Sequence, residues 1–135
     1  MKYFLTLFIG IILYVAPVQA QAPDTMPVYP GCKQSEQKMS CFKEKLTSFI
    51  AENFQTDLLQ KIPENEQVSM MIRFNIDEEG TLQQIDVQSG YEFLNNEVKR
   101  ILQQVPRIKP AQSDGVPVTM QYQLPVVFNA KNKTD

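Results

Sequence analysis

Cys32 and Cys41 are the side chains with the strongest intrinsic chemistry, and they lie nine positions apart. An even number of cysteines in an exported chain is typical of a disulfide. The alternatives are a metal site and a redox pair. The chain has no His, so a metal would need thiolates plus carboxylates, an unusual set for zinc. The spacing is not the C-x-x-C of redox enzymes. We therefore predict a structural disulfide.

Two further groups of side chains resemble ligand sets. Residues 77–79 form a carboxylate cluster, but they lack the D-x-D-x-D-G spacing of a calcium loop. Followed by Gly80, they favour a solvated hairpin turn. The methionines would suit a soft metal, yet Met70 and Met120 fall on predicted core faces, where methionine is ordinary packing. We predict no metal and no cofactor.

The usual catalytic arrangements are missing from the sequence. Without His there is no Ser-His or Cys-His pair and no H-E-x-x-H motif. The five glycines form no phosphate-binding loop. A hydrolase or cell-wall enzyme would need a nucleophile beside a base, so we predict no catalytic residues and a protein that is not an enzyme.

Residues 1–20 have the layout of a secretory signal peptide. Lys2 is followed by an apolar run that ends in Val18-Gln19-Ala20, and we expect cleavage before Gln21 and export to the periplasm. A bilayer span needs about 20 apolar residues, so the run is slightly short for one. The alternative is that the run is retained as an inner-membrane anchor.

The length of 135 residues indicates one domain. About 115 residues after the leader can bury roughly 65% of their unfolded surface, enough for one core that a disulfide would help to stabilise. Without Lys2 the 13 basic residues fall to 12 against 15 acidic ones, a net charge of −3. We therefore expect no binding to nucleic acid.

Hydrophobic periodicity predicts the order α-β-β-α-β. An extended lead-in over 21–31 ends in a Pro30-Gly31 turn, and a first helix capped by Ser40 follows. After a loop over 57–66 come a strand over 68–76 and a strand over 82–87 with a bulge near Gln83-Gln84. A second helix from Leu94 to Val105, a turn over 113–115 and a long third strand over 116–128 complete the prediction. In that strand the even-numbered residues from Val116 to Leu124 are expected to face the core.

The predicted fold class is α+β, a three-stranded antiparallel sheet with two helices packed on one face. The domain organisation that follows is a cleaved signal peptide over 1–20, the lead-in over 21–31, one folded domain over 32–130 and a flexible tail over 131–135.

Pro117 and Pro125 lie in the third strand, and proline in sheets is confined to edges, strand starts and bulges. The third strand is therefore expected to have a free edge. Two purposes stay open, namely recognition of another extended chain by β-augmentation and protection against aggregation. Thr119, Gln121 and Gln123 would line the outer face beside an added strand.

A set of short motifs follows in order along the chain. The motifs are PVYPGC at 27–32, IRFNIDEEGTL at 72–82, IDVQSG at 85–90, the helix over 94–102, VPRIKP at 105–110, GVPV at 115–118 and YQLPVVF at 122–128. Each is weak alone, but the ordered set covers about three quarters of the chain. From Tyr29 to Phe128 it resembles the C-terminal domain of TonB energy transducers.

The resemblance implies a domain that grips an extended segment of an envelope protein, such as a TonB-dependent outer-membrane transporter, along an edge strand. In a full transducer this grip carries energy from an inner-membrane motor. The partner-binding residues that follow for this sequence are Val116, Val118, Thr119, Gln121, Tyr122, Gln123 and Pro125. A homodimer through the third strand is the alternative occupant.

The sequence also departs from the family pattern. Ile108 stands where the family usually has a tryptophan, and Phe54-Gln55 replaces the usual Tyr-Pro. Transducers have a membrane helix with a His and a long proline-rich spacer. Here about ten residues separate the leader from the Pro30-Gly31 turn, too few at about 3.5 Å each to cross a periplasm. We expect the partner-binding domain without the membrane helix and the spacer. The alternatives are a membrane-anchored short transducer and a structural accessory or inhibitor of an envelope complex.

Overall fold

The computed structural model describes residues 22–129, so the predicted signal peptide and tail lie outside the described residues. The elements are helix α1 (Lys38–Asn53), a 3₁₀ helix (Thr56–Lys61), strands β1 (Gln67–Ile76) and β2 (Leu82–Gln88), helix α2 (Glu92–Leu102), and strands β3 (Ala111–Ser113), β4 (Val116–Val118) and β5 (Met120–Asn129). The α+β class is confirmed, with one small hairpin added.

The main sheet has three antiparallel strands in the order β2-β1-β5. Its inner face follows from period two in β1, whose alternate residues Val68, Met70, Ile72, Phe74 and Ile76 are all buried. The apolar stripes of both helices belong to the same buried cluster. The two helices therefore cover one face, as predicted, and the other face is left to solvent.

The β1–β2 hairpin matches its prediction closely. Asp77 caps the turn, since its Oδ1 accepts the N–H groups of Glu79 and Thr81 at 3.0 and 2.9 Å. Gly80 has φ +83°. The register shifts by one residue opposite Phe74, where Gln84 has φ +50°, which is the predicted bulge.

The lead-in is part of the domain core. Val28 and Tyr29 are buried, and a turn with Gly31 at φ +92° brings the chain to Cys32. Cys32 forms the predicted disulfide with Cys41 in the first turn of α1, with 5.8 Å between their Cα atoms. The bridge therefore ties the lead-in to the start of the helix.

The predicted Ser40 N-cap is wrong. Helix α1 begins at Lys38, and the N–H of Cys41 already bonds to the carbonyl of Gln37 at 3.0 Å. Ser35 forms the local side-chain bond instead, because its Oγ accepts the N–H of Gln37 at 3.2 Å. The predicted loop over 57–66 is wrong in its first part, because the 3₁₀ helix continues to Lys61 and ends before Pro63.

The long third strand is in fact two strands. Asp114 and Gly115 have φ +52° and +77°, the pattern of a two-residue hairpin turn, and this turn pairs β4 with β3 and not with β1. Val116, expected on the core face, is 60% exposed for that reason. Beyond Thr119 the chain joins the main sheet as β5.

Candidate partner-binding edge

Strand β5 forms an outer edge of the main sheet, since its one partner among the described residues is β1. It is ten residues long. The sequence from Gly115 to Ala130 contains no Asp, Glu, Lys or Arg. Native edges are usually blunted by short length, charge, proline or a bulge. Pro125 is the one such device in β5, so this edge is long and nearly unprotected.

The hydrogen-bonding direction of β5 follows from the hairpin beside it. The N–H of Asp77 bonds to the carbonyl of Thr81 at 3.0 Å, so odd-numbered residues of β1 direct their backbone groups to β2 and even-numbered ones to β5. In the observed register each even-numbered residue of β5 then bonds to β1. The residues that direct N–H and C=O to the free edge are Gln121, Gln123, Pro125, Val127 and Asn129.

Pro125 fits this geometry. It lies opposite Met71, and its backbone nitrogen faces the free edge. The missing N–H therefore removes no hydrogen bond to β1. Pro117 in β4 is placed in the same way. Its partner Gln112 exchanges both backbone bonds with Thr25 of the lead-in, so Pro117 also faces a free edge.

The opposite edge of the sheet is different. Strand β2 has seven residues, carries Asp86 and contains the bulge at Gln84, and it packs against α2. Short length, a charge and a bulge all discourage strand addition there. The sheet therefore has one protected edge and one accessible edge.

Comparison with known protein families identifies the family of this domain. The family model for the Gram-negative bacterial TonB protein C-terminal matches residues 62–130, about half of the chain. The chain belongs to the TonB C-terminal family. A search of curated proteins gives no match. The family is a non-catalytic domain for energy transduction and protein interaction that works in the periplasm and contacts outer-membrane transporters. This is a TonB-like module that interacts with envelope proteins.

The TonB-type fold includes residues before the matched range. Phe42 of α1 is fully buried, with its ring 5.7 Å from Tyr29 and 5.0 Å from Tyr122 of β5. Phe54, at the position of the usual tyrosine, stacks on Phe128 at 5.7 Å. The lead-in and α1 therefore support the back of the edge strand.

The seven predicted partner-binding residues do not lie together in this TonB-type domain. Gln121, Gln123 and Pro125 lie on the outward edge of β5. Val116 and Val118 belong to β4, and Thr119 lies between the strands. Tyr122 points inward between Phe42 and Phe74, and this burial raises its pKa.

The predicted set leaves out two outward residues of β5, Val127 and Asn129. Their signal was present, because continuing the odd-numbered alternation past Pro125 leads directly to them. The predicted features also leave out an ion pair between the buried Glu97 carboxylate and the partly exposed Arg100. Glu97 accepts hydrogen bonds from Arg100 at 2.6 and 3.0 Å and from the N–H of Gln55 at 3.2 Å, which joins α2 to the end of α1.

Three further observations concern residues 22–129. This part of the chain holds no cluster of three His, Cys, Asp or Glu side chains that would bind a metal. Both cysteines are in the disulfide. None of the helices described here has the length and apolar character to cross a bilayer.

Proposed function

We propose that the chain is an exported periplasmic binding module that captures an extended segment of an envelope protein as a fourth strand beside β5. The expected partner is a TonB-dependent outer-membrane transporter. The observation that carries the proposal is the long, uncharged edge whose outward backbone groups are unpaired among the described residues. The proposed role is binding and not catalysis, and without His the chain has no Ser-His or Cys-His pair.

The edge supplies a defined set of bonds to a captured strand. Four residues offer N–H groups, namely Gln121, Gln123, Val127 and Asn129, and these four with Pro125 offer carbonyls. Each hydrogen bond contributes about 0.5–1.5 kcal/mol net. Ordering an extended peptide costs much of that gain. We therefore expect a specific but reversible grip.

A second copy of the chain is the competing occupant. Two β5 edges would pair across a two-fold axis with the same backbone groups, and β5 carries no charged side chain that would repel the same strand of a second copy. Dimerisation would then compete with capture of a partner segment. The measured affinity for a peptide should fall as protein concentration rises if both use β5.

Titration with synthetic peptides from the periplasm-facing ends of such transporters tests the proposal. The informative variant is Gln123→Pro, which removes one outward N–H and leaves the β1 ladder intact. We expect weaker peptide binding.

Substitution of the same residue by alanine provides the control. Gln123→Ala removes the same side chain but keeps the outward N–H, so it should leave affinity unchanged in a variant that remains folded by circular dichroism. Equal affinity of Gln123→Pro and the unsubstituted chain would contradict capture at β5. No binding to any such peptide, together with a monomer in sedimentation experiments, would reject both occupants.

A further inference from the structure

We propose that the outer face of the sheet beside β5 holds a subsite for one uncharged, apolar side chain of the captured segment. The inference rests on the proposed function and deepens it, because it states what the captured segment must contain. The subsite is a shallow depression formed by Met71, Pro125 and Val127, with Ser69, Gln88 and Ser89 around it.

The subsite contains an exposed apolar side chain of the main edge strand. Val127 is 54% exposed, and Val116 at 60% is the other exposed large apolar side chain among residues 22–129. Val116 belongs to the small hairpin, but Val127 is on the main edge strand. Val127 lies opposite Ser69, and Pro125 lies opposite Met71. The apolar surface therefore begins on β5 and continues onto β1.

The position of the depression fixes the kind of occupant. Pro125 and Val127 direct their backbone groups to the free edge and their side chains to the outer face. A strand added beside β5 places every second side chain on that same face, with Cβ atoms about 4.5–5.5 Å from the opposite residue. The occupant is thus a side chain of the captured strand, and capture and occupancy occur together.

The chemistry of the surroundings selects an apolar side chain. A charged side chain would lose hydration against Val127 and Met71 without gaining a partner on β5. Pro125 supplies no N–H, so the ladder lacks one bond here and apolar contact is the interaction left to offset it. The other half of the edge is polar, since Gln123 lies opposite Arg73.

Substitution of the two exposed valines tests the subsite. Val127→Thr keeps the shape and the strand preference but removes apolar surface, and we expect transporter-peptide affinity to fall about five- to tenfold. Val116→Thr is the matched control, and it should leave affinity unchanged. Thermal unfolding checks that both variants are folded.

Methyl NMR gives an independent readout on the full chain. With ¹³C-methyl methionine, the peptide should shift the Met71 signal and leave that of Met70, which is buried on the inner face. Equal affinity of both threonine variants, or an unmoved Met71 methyl in the bound state, would overturn the subsite while leaving edge capture intact. Absence of peptide binding to the unsubstituted chain would overturn capture and the subsite together.

Discussion

Gly80 and Ile108 approach each other through their backbones, since the N–H of Ile108 donates to the carbonyl of Gly80 at 2.9 Å. A Cβ at position 80 would lie 1.7 Å from the Ile108 carbonyl oxygen. The glycine of the β1–β2 turn is therefore needed both for its φ of +83° and for this contact. Through it the hairpin is held against the link that follows α2.

Two glycine substitutions separate these effects. Gly80→Ala adds a backbone clash to an unfavourable φ and should lower the free energy of unfolding by about 3–5 kcal/mol. Gly115→Ala has a similar φ of +77° but meets no atom within 4 Å, so it should cost only about 1–2 kcal/mol. Urea unfolding of both variants measures the difference, and equal losses would refute a role for the Ile108 contact.

Glu97 makes stability depend on pH. Hydrogen bonds from Arg100 and the N–H of Gln55 lower its pKa, against the opposing effect of burial. Because the pKa is lower in the folded chain than in the unfolded chain, the stabilisation is complete above the unfolded value. It is lost as pH falls through the folded value.

Glu97→Gln isolates this contribution. At pH 7 the variant should lose about 1–3 kcal/mol, because Arg100 keeps a weaker partner, and the loss should shrink as pH falls through the acidic range. Glu92→Gln, at an exposed position on the same helix, is the matched control. A pH-independent difference between Glu97→Gln and the unsubstituted chain would contradict the assignment.

The disulfide between Cys32 and Cys41 closes a short loop. Its removal in a Cys32→Ser, Cys41→Ser double variant should lower the free energy of unfolding by about 2–3 kcal/mol. Cys32 is fully buried beside the core, so the serine hydroxyl adds to the loss. Calorimetry of this variant against the oxidised chain measures it, and unchanged stability would show that α1 and the lead-in hold each other without the bridge.

The fold could be predicted where one periodicity dominates. Strand β1 alternates over ten residues and α2 repeats apolar residues at helical spacing, so both were found. The hairpin of β3 and β4 was not. Alternation runs unbroken from Val116 through Met120, and periodicity does not say which neighbour a strand pairs with. The turn at Asp114 and Gly115 decides it.

The candidate site could likewise be predicted only in part. The free edge could be inferred from Pro125, because proline restricts where a strand can lie. The direction of each backbone group needed the register with β1, which only the folded chain provides. From sequence alone, Glu97 and Arg100 form an ordinary i,i+3 pair on a helix surface. Only the folded chain shows that the Glu97 carboxylate also accepts the N–H of Gln55, just after the end of α1.

Amide hydrogen exchange along β5 tests the central claim most directly. In the free chain the N–H groups of Tyr122, Leu124, Val126 and Phe128 are bonded to β1 and should exchange slowly, whereas the outward ones should exchange fast. With a saturating transporter peptide, capture predicts new protection at Gln121, Gln123, Val127 and Asn129. A bound peptide that leaves these four amides unprotected would contradict strand addition at β5.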